Sequence, residues 1–173
     1  MEPRRYGFRE ESDIKEAVIS IRRVAKVVKG GKRMSFSALV ASGNVKEGKI
    51  GLGLGKANEV PDAIRKGKQY AIKAFFPVKV RNTTIPHDIT ERYKGAVIIM
   101  KPASKGTGVI AGGACRRILE LTPIKDVLAK SIGSSNPINV ATATIKCLKN
   151  LRTLAETAAM RGKTKEEIYT AGE

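Results

Sequence analysis

Few side chains in this sequence are of types that do acid, base, nucleophilic or metal chemistry, and they do not converge. His87 is the sole histidine. With Asp88 and Glu91 it can be drawn as an acid/base pair, but a solvated linker explains these residues, and one imidazole cannot found a metal cluster. Cys115 and Cys147 are the only cysteines. They lack CxxC spacing and sit beside small or apolar neighbours, so they read as buried thiols rather than as a disulfide framework or a zinc site. Neither a GxSxG elbow nor an HExxH pair occurs. The chain is accordingly not expected to be an enzyme, and no cofactor or metal is expected.

Two glycine-rich stretches come closer to a nucleotide site. Gly55-Lys56 lacks the other P-loop requirements, because Ile50 stands where the first glycine belongs and Ala57 where Ser or Thr belongs. Gly106-Thr107-Gly108-Val109-Ile110-Ala111 formally matches GxGxxG/A, with Asp126 further on. In a dinucleotide fold the glycines begin at the strand end, whereas here Pro102 to Lys105 intervene and no run of βα units surrounds them. The residues suit better a loop whose backbone N–H groups, beside Lys105 and the Arg116-Arg117 pair, meet a phosphate of RNA. The competing reading is a helix entry that needs small residues for packing.

The strongest signal is cationic. Arg22, Arg23, Lys26, Lys29, Lys32 and Arg33 fall between Ile21 and Arg33 with no acid among them. A hairpin tip bearing Lys29-Gly30-Gly31-Lys32-Arg33 can place cations and backbone donors into an RNA groove while its strands stay packed. The alternative is a solvated strand edge protected by its lysines.

Composition supports the nucleic-acid reading. The 173 residues carry 33 Lys+Arg against 16 Asp+Glu, a formal net charge of +17, with 42% hydrophobic residues. That apolar content is enough for a core, so the chain is globular rather than a basic tail. An excess of this size points to a polyanionic partner, nucleic acid before an acidic membrane surface. Residues 1–83 carry 19 basic and 8 acidic side chains, residues 84–150 carry 10 and 4, and residues 151–173 carry 4 and 4. The last segment is therefore not the polyanion binder. The longest purely apolar run, Ala96 to Met100, falls far short of the roughly 20 residues a membrane helix needs. Met1 to Ser12 has no apolar core of a secretion signal and contains three glutamates, which argues against an organellar leader and for a cytoplasmic protein.

The elements that must position these residues follow from periodicity. Strands are predicted over 18–29, 34–42 and 49–55, with a hairpin turn between the last two, followed by a helix over 60–76 with Pro61 in its first turn. Strand 49–55 puts Gly51, Gly53 and Gly55 on one face, which calls for close backbone approach, and a helix presenting Ala63, Gly67, Ala71 and Ala74 suits it. Asn82 to Pro86 marks a boundary. Beyond it come an extended stretch over 86–93, a strand over 95–101, a helix over 112–121, an extended stretch over 124–132, a helix from Pro137 to about 151 with Asn136 as N-cap, and a short helix over 153–160. The expectation is an α+β chain of two small two-layer αβ domains, 1–83 and 84–160, with a mobile tail over 161–173.

In order along the chain, residues 24–39 (VAKVVKGGKRMSFSAL), 55–60 (GKANEV), 85–87 (IPH), 101–113 (KPASKGTGVIAGG) and 129–137 (AKSIGSSNP) resemble the signature stretches of bacterial-type small-subunit ribosomal protein five. The resemblance implies an N-terminal domain like the double-stranded-RNA-binding fold without its first helix. It also implies a C-terminal β-α-β-α domain with a left-handed crossover, where general rules favour a right-handed one. It implies a structural constituent of the small ribosomal subunit that binds ribosomal RNA near the join of head and body, supports assembly and contributes to translational accuracy. Its neighbours would be ribosomal proteins four and eight, with messenger RNA nearby at the entry channel, and the hairpin 28–36 would reach toward the spectinomycin region. The residues expected on RNA are Arg22, Arg23, Lys26, Lys29, Gly30, Gly31, Lys32, Arg33, Ser35, Lys56, Lys105, Gly106, Thr107, Gly108, Arg116 and Arg117. Met34, Thr122-Pro123 and the longer tail after Gly162 depart from common family patterns. A basic RNA-binding regulator outside the ribosome is the alternative.

Overall fold

In the computed structural model, which describes residues 14–163, the chain begins with a long antiparallel ribbon. The expectations for Met1–Ser12 and for the tail beyond Lys163 lie outside the described residues. β1 (Ile14–Val28) and β2 (Gly31–Asn44) pair from Ile14↔Asn44 to Val28↔Gly31, with a bulge between Val18 and Ser20. β3 (Lys49–Ala57) pairs with β2, α1 (Val60–Lys73) follows with a proline in its first turn, and β4 (Phe76–Pro77) closes a sheet of order β1-β2-β3-β4. β4 has no counterpart among the expected elements, and α1 stops at Lys73 rather than at residue 76 because Phe76 turns away to pair with Ile50.

α1 lies closer to the sheet than side chains normally allow. A Cβ on Gly51, Gly53 or Gly55 would collide with the backbone carbonyl of Ala71, Gly67 or Ala63 respectively. The match is geometric: four helical residues rise about 6 Å, and two strand residues advance about 6.6 Å. Successive glycines of β3 thus meet successive turns of α1. On the helix side, a Cβ on Gly67 would come within 2.8 Å of Val40 Cγ2.

The second sheet has order β5-β6-β8-β7, formed by β5 (Ile89–Tyr93), β6 (Ala96–Pro102), β7 (Val109–Ile110) and β8 (Val127–Gly133). β7 and β8 are parallel and joined through α2 (Gly113–Leu119). α3 (Pro137–Asn150) and α4 (Leu154–Arg161) complete the chain. Asn136 is the N-cap residue of α3 as expected, but its side chain makes no capping bond. α4 is fixed by a capping box, in which Thr153 accepts from the Glu156 amide and the Glu156 carboxylate accepts from the Thr153 amide.

The two sheets do not have separate cores. Leu39, Ala41 and Ile50 from the first sheet, Cys115, Ile118 and Leu119 from α2, Val140, Ala141 and Leu148 from α3, and Ala96, Ile98 and Met100 from β6 form one buried cluster. A small second cluster, Ala38, Val40 and Ala63, lies under α1. The order of layers is therefore α1, first sheet, α2 with α3, second sheet. Residues 38–44 of β2 are buried on both faces because they lie between two layers. The outermost face of the second sheet, carrying Val97, Ile99 and Lys101 on β6 and Leu128, Lys130 and Ile132 on β8, is not covered by any described element. No described helix is long and apolar enough to cross a membrane.

Candidate nucleic-acid interface

The ribbon of β1 and β2 outruns the sheet. Past Phe36 it loses the cover of α1, and residues 21–34 are exposed except for Val28. Its turn is Lys29-Gly30, and Gly30 and Gly31 have φ of +90° and +151°. A Cβ at either glycine would meet nothing, so the requirement there is backbone conformation and not space.

Register divides the cations between two faces. Cross-strand partners share a face. Arg22↔Ser37, Val24↔Ser35 and Lys26↔Arg33 therefore lie together, and β3 adds Lys56 opposite Ser37. Arg23, Val27, Lys32 and Met34 lie on the opposite face, through the pairs Arg23↔Phe36, Ala25↔Met34 and Val27↔Lys32. Lys26 directly opposite Arg33 is a like-charge pair, which destabilises a free ribbon by a few tenths to about 1 kcal/mol. No acidic residue occurs between Glu16 and Glu47 to relieve it. An arm built of cations, hydroxyls and no counter-charge is complementary to phosphate.

Of the expected residues, Arg22, Lys26, Arg33, Ser35 and Lys56 are thus brought onto one surface, with Lys29 at the turn. Arg22 has a second engagement, since its Nη2 donates to Asn136 Oδ1 at 2.9 Å, and this explains why Asn136 does not cap α3. The arginines of α2 serve the fold. Arg117 Nη1 donates to the carbonyls of Val18 and Ile19 at the β1 bulge, and Arg116 Nε donates to Glu120 Oε1 at 2.8 Å. Arg117 and Arg22 together tie the first sheet to the helices beneath it.

The glycine loop departs from the expectation that its amides face a ligand. Gly106 and Gly108 N–H both donate to Asp126 Oδ1 at 3.0 Å, and Thr107 N–H donates to the Ser104 carbonyl at 3.2 Å. The carboxylate of Asp126 already occupies the anion position that the loop creates, so the loop offers Lys105 and not its backbone. The glycines are needed because φ is +94° at Gly106 and +76° at Gly108. The Gly108 amide is the largest influence holding the Asp126 carboxyl below its ordinary range, with the Thr83 side chain, the Gly106 amide and Lys125 adding to it against burial. Sequence reasoning noticed Asp126 only as the acid of a dinucleotide motif, and nothing in the spacing distinguished an acid that holds its own loop.

His87 is likewise structural. Its Nε2 accepts from the Arg152 amide at 3.0 Å, which places the proton on Nδ1, 2.7 Å from the Asp88 carbonyl. Glu91 Oε1 accepts from Asn150 Nδ2 at 2.6 Å. Among the described residues no three His, Cys, Asp or Glu side chains gather as metal ligands.

Comparison with known proteins agrees with this architecture. Residues 14–79 match the family described as Ribosomal protein S5, N-terminal domain, and residues 91–161 match Ribosomal protein S5, C-terminal domain. A small ribosomal subunit protein uS5 of Rubrobacter xylanophilus is 54% identical over 151 residues, covering 87% of this chain and 75% of the relative. A small ribosomal subunit protein uS5 of Syntrophobacter fumaroxidans is 52% identical over 153 residues, covering 88% of this chain and 92% of the relative.

Proposed function

The chain belongs to the ribosomal protein S5 family, and from that premise we propose that it is a structural constituent of the small ribosomal subunit that binds small-subunit ribosomal RNA through the β1–β2 arm. The family places it among ribosomal proteins and not among enzymes. The observation that carries the RNA reading is the acid-free arm with Lys26 set against Arg33, an arrangement that becomes favourable when phosphates lie between and around the cations. Lys29, Arg33, Lys26, Arg22, Ser35 and Lys56 meet the RNA there, with Arg23 and Lys32 on the far side of the arm and Lys105 from the Gly106–Gly108 loop.

In this reading residues 1–83 form the RNA-binding domain and residues 84–160 the αβ domain that sets it in place. The protein works in the cytoplasm as part of the ribosome, at the join of head and body, beside ribosomal proteins four and eight and near the messenger entry channel. There it supports assembly and translational accuracy. Sedimentation of a tagged copy through a sucrose gradient tests the reading. Nearly all of it is expected with small subunits, and a copy found mainly in slower RNA-containing fractions identifies instead an RNA-binding regulator outside the ribosome.

A further inference from the structure

A cavity of about 530 Å³ opens where the segment after β4 meets the turn between α3 and α4. That is the size of a small-molecule site. Arg81 lines it from the first segment, Arg152 from the turn and Arg161 from the end of α4, while Val80, Pro86 and Leu154 give it an apolar wall. No acidic side chain among the described residues lines it. The adjoining cavity, which shares His87 and Arg152, differs in charge, because Glu91 and Glu156 stand among its cations and Glu156 pairs with Lys79 at 2.7 Å. Neither Arg152 nor Arg161 forms an ion pair with a described residue. The walls are fixed by hydrogen bonds. Arg81 and Thr84 exchange N–H···O bonds of 2.8 and 3.1 Å around Asn82, whose φ of +56° closes the turn. The Arg152 amide donates to His87 Nε2 at 3.0 Å, and the capping box of Thr153 with Glu156 holds the start of α4. The backbone that carries the three arginines is thus ordered before a ligand arrives.

We propose that this cavity binds a nucleoside di- or triphosphate, at a site separate from the β1–β2 arm and independent of whether the arm binds RNA. The arginines select the charge of the ligand. Guanidinium groups pair with phosphate through a bidentate fork and also stack on planar rings, whereas a single phosphate would leave part of a three-arginine cluster unmatched. The apolar wall selects the remainder of the ligand. Val80, Pro86 and Leu154 offer a base or a ribose a surface that a bare polyphosphate does not use. Asn82, also in the lining, supplies both a donor and an acceptor for the edge of a base. A net charge of +17 raises affinity for any anion, but charge spread over a surface favours neither this cavity nor a nucleoside over a phosphate chain.

Calorimetric titration of the full chain with ATP, GTP, adenosine and inorganic tripolyphosphate, at an ionic strength of about 150 mM, tests this. Saturable binding of ATP or GTP is expected, tighter than that of tripolyphosphate or adenosine. Arg152→Gln and Arg161→Gln are each expected to weaken nucleotide binding about tenfold, the usual loss of one charge-assisted contact. Both arginines are exposed, so these variants report binding rather than folding, and their melting temperatures check it. Leu154→Ala is expected to weaken the nucleotide and leave tripolyphosphate unchanged, because it removes apolar surface and no charge. The pair Lys66→Gln with Lys73→Gln, which removes two exposed cations of α1, is expected to leave the nucleotide affinity as it is. Absence of saturable binding, or equal losses from the α1 pair and the arginine variants, overturns the proposal. Tripolyphosphate held as tightly as ATP and GTP overturns the nucleoside assignment. Residues 164–173 include Glu166 and Glu167; if nucleotide binds only to the variant Glu166→Gln with Glu167→Gln, an acidic segment of the chain itself is the occupant and the proposal is wrong. Should Leu154→Ala melt early, the arginine variants and the preference for ATP or GTP over tripolyphosphate decide.

Discussion

Lys26 and Arg33 face each other across a ribbon whose sequence has no acid between Glu16 and Glu47, an arrangement that suits a bound polyanion better than the free protein. Lys29, Lys32 and Arg33 are exposed and outside both core clusters. Their triple alanine variant is expected to keep its stability within about 0.5 kcal/mol per site while the salt slope of RNA binding falls by roughly one for each phosphate that is no longer neutralised. Normal binding with an unchanged slope would mean that the tip is only a solvated edge. Asp126 makes the opposite case, a charge satisfied inside the protein. The fold holds its carboxyl below the ordinary range, chiefly through the Gly108 amide. A depressed carboxyl contributes stability that is complete above the unfolded value of about 3.9 and is lost as pH falls through the depressed folded value. Asp126→Asn is therefore expected to lower Tm at neutral pH and to flatten the acid limb of the Tm profile. An acid limb identical to that of the unmodified protein would remove Asp126 from the account of the loop.

At the scale of the element, the junction of β3 and α1 is the tightest in the molecule's first half, because backbone meets backbone at three successive glycines. Gly53→Val must push α1 off the sheet, at a cost of about 3 kcal/mol, the upper end of the usual overpacking range. Urea unfolding measures it, and a variant of normal stability with weakened RNA binding would make the glycine face an RNA surface instead. Alternation of Gly51, Gly53 and Gly55 with Ile50, Leu52 and Leu54 made this packing legible in the sequence, as the small residues of α1 did from the other side. β2 and α1 were legible for the same reason, each showing a period, whereas β1 was read from its β-branched residues despite mixed spacing, β6 from its apolar run and α3 from its Asn136-Pro137 start. β4 and β7 have two residues each, and no period can be read from two. The site was legible in part. Cation density and the glycine pair revealed the arm, but the division of its cations between two faces depends on register, which the Ile19 bulge sets.

At the scale of the whole molecule, the inner face of the first sheet, α2, α3 and the inner face of the second sheet share one cluster. Cutting the chain near residue 83 would expose Leu39, Ala41 and Ile50 on one fragment and Leu121, Ile124 and Leu151 on the other. Large fully buried side chains such as Ile50 and Leu151 each contribute about 1.5 to 3 kcal/mol by burial. We therefore expect one calorimetric transition for the full chain, with calorimetric and van't Hoff enthalpies equal, and no cooperative transition for residues 1–83 alone. Two resolved transitions would show that the halves are energetically independent despite the shared core. Ties at the periphery, Arg22 to Asn136 and Lys79 to Glu156 at 2.7 Å, fix the orientation of the halves rather than supply their cohesion. In the proposed reading, a rigid body of this kind carries its arm to the RNA as one piece with the core.

The two cysteines lie in that shared cluster, Cys115 on α2 and Cys147 on α3, at 1% and 0% exposure. Burial pushes the first thiol up to about 11, against the Thr144 hydrogen bond, and pushes the second up to about 12, with Cys115 and Glu91 adding to the rise. At neutral pH an alkylating reagent finds neither a thiolate nor a path to sulfur in the closed protein. Modification by iodoacetamide thus becomes a clock for the moments when the middle layer parts from its two sheets. Labelling that keeps pace with global unfolding would mean that the layers separate only together, and faster labelling of one sulfur would identify the helix that lifts first.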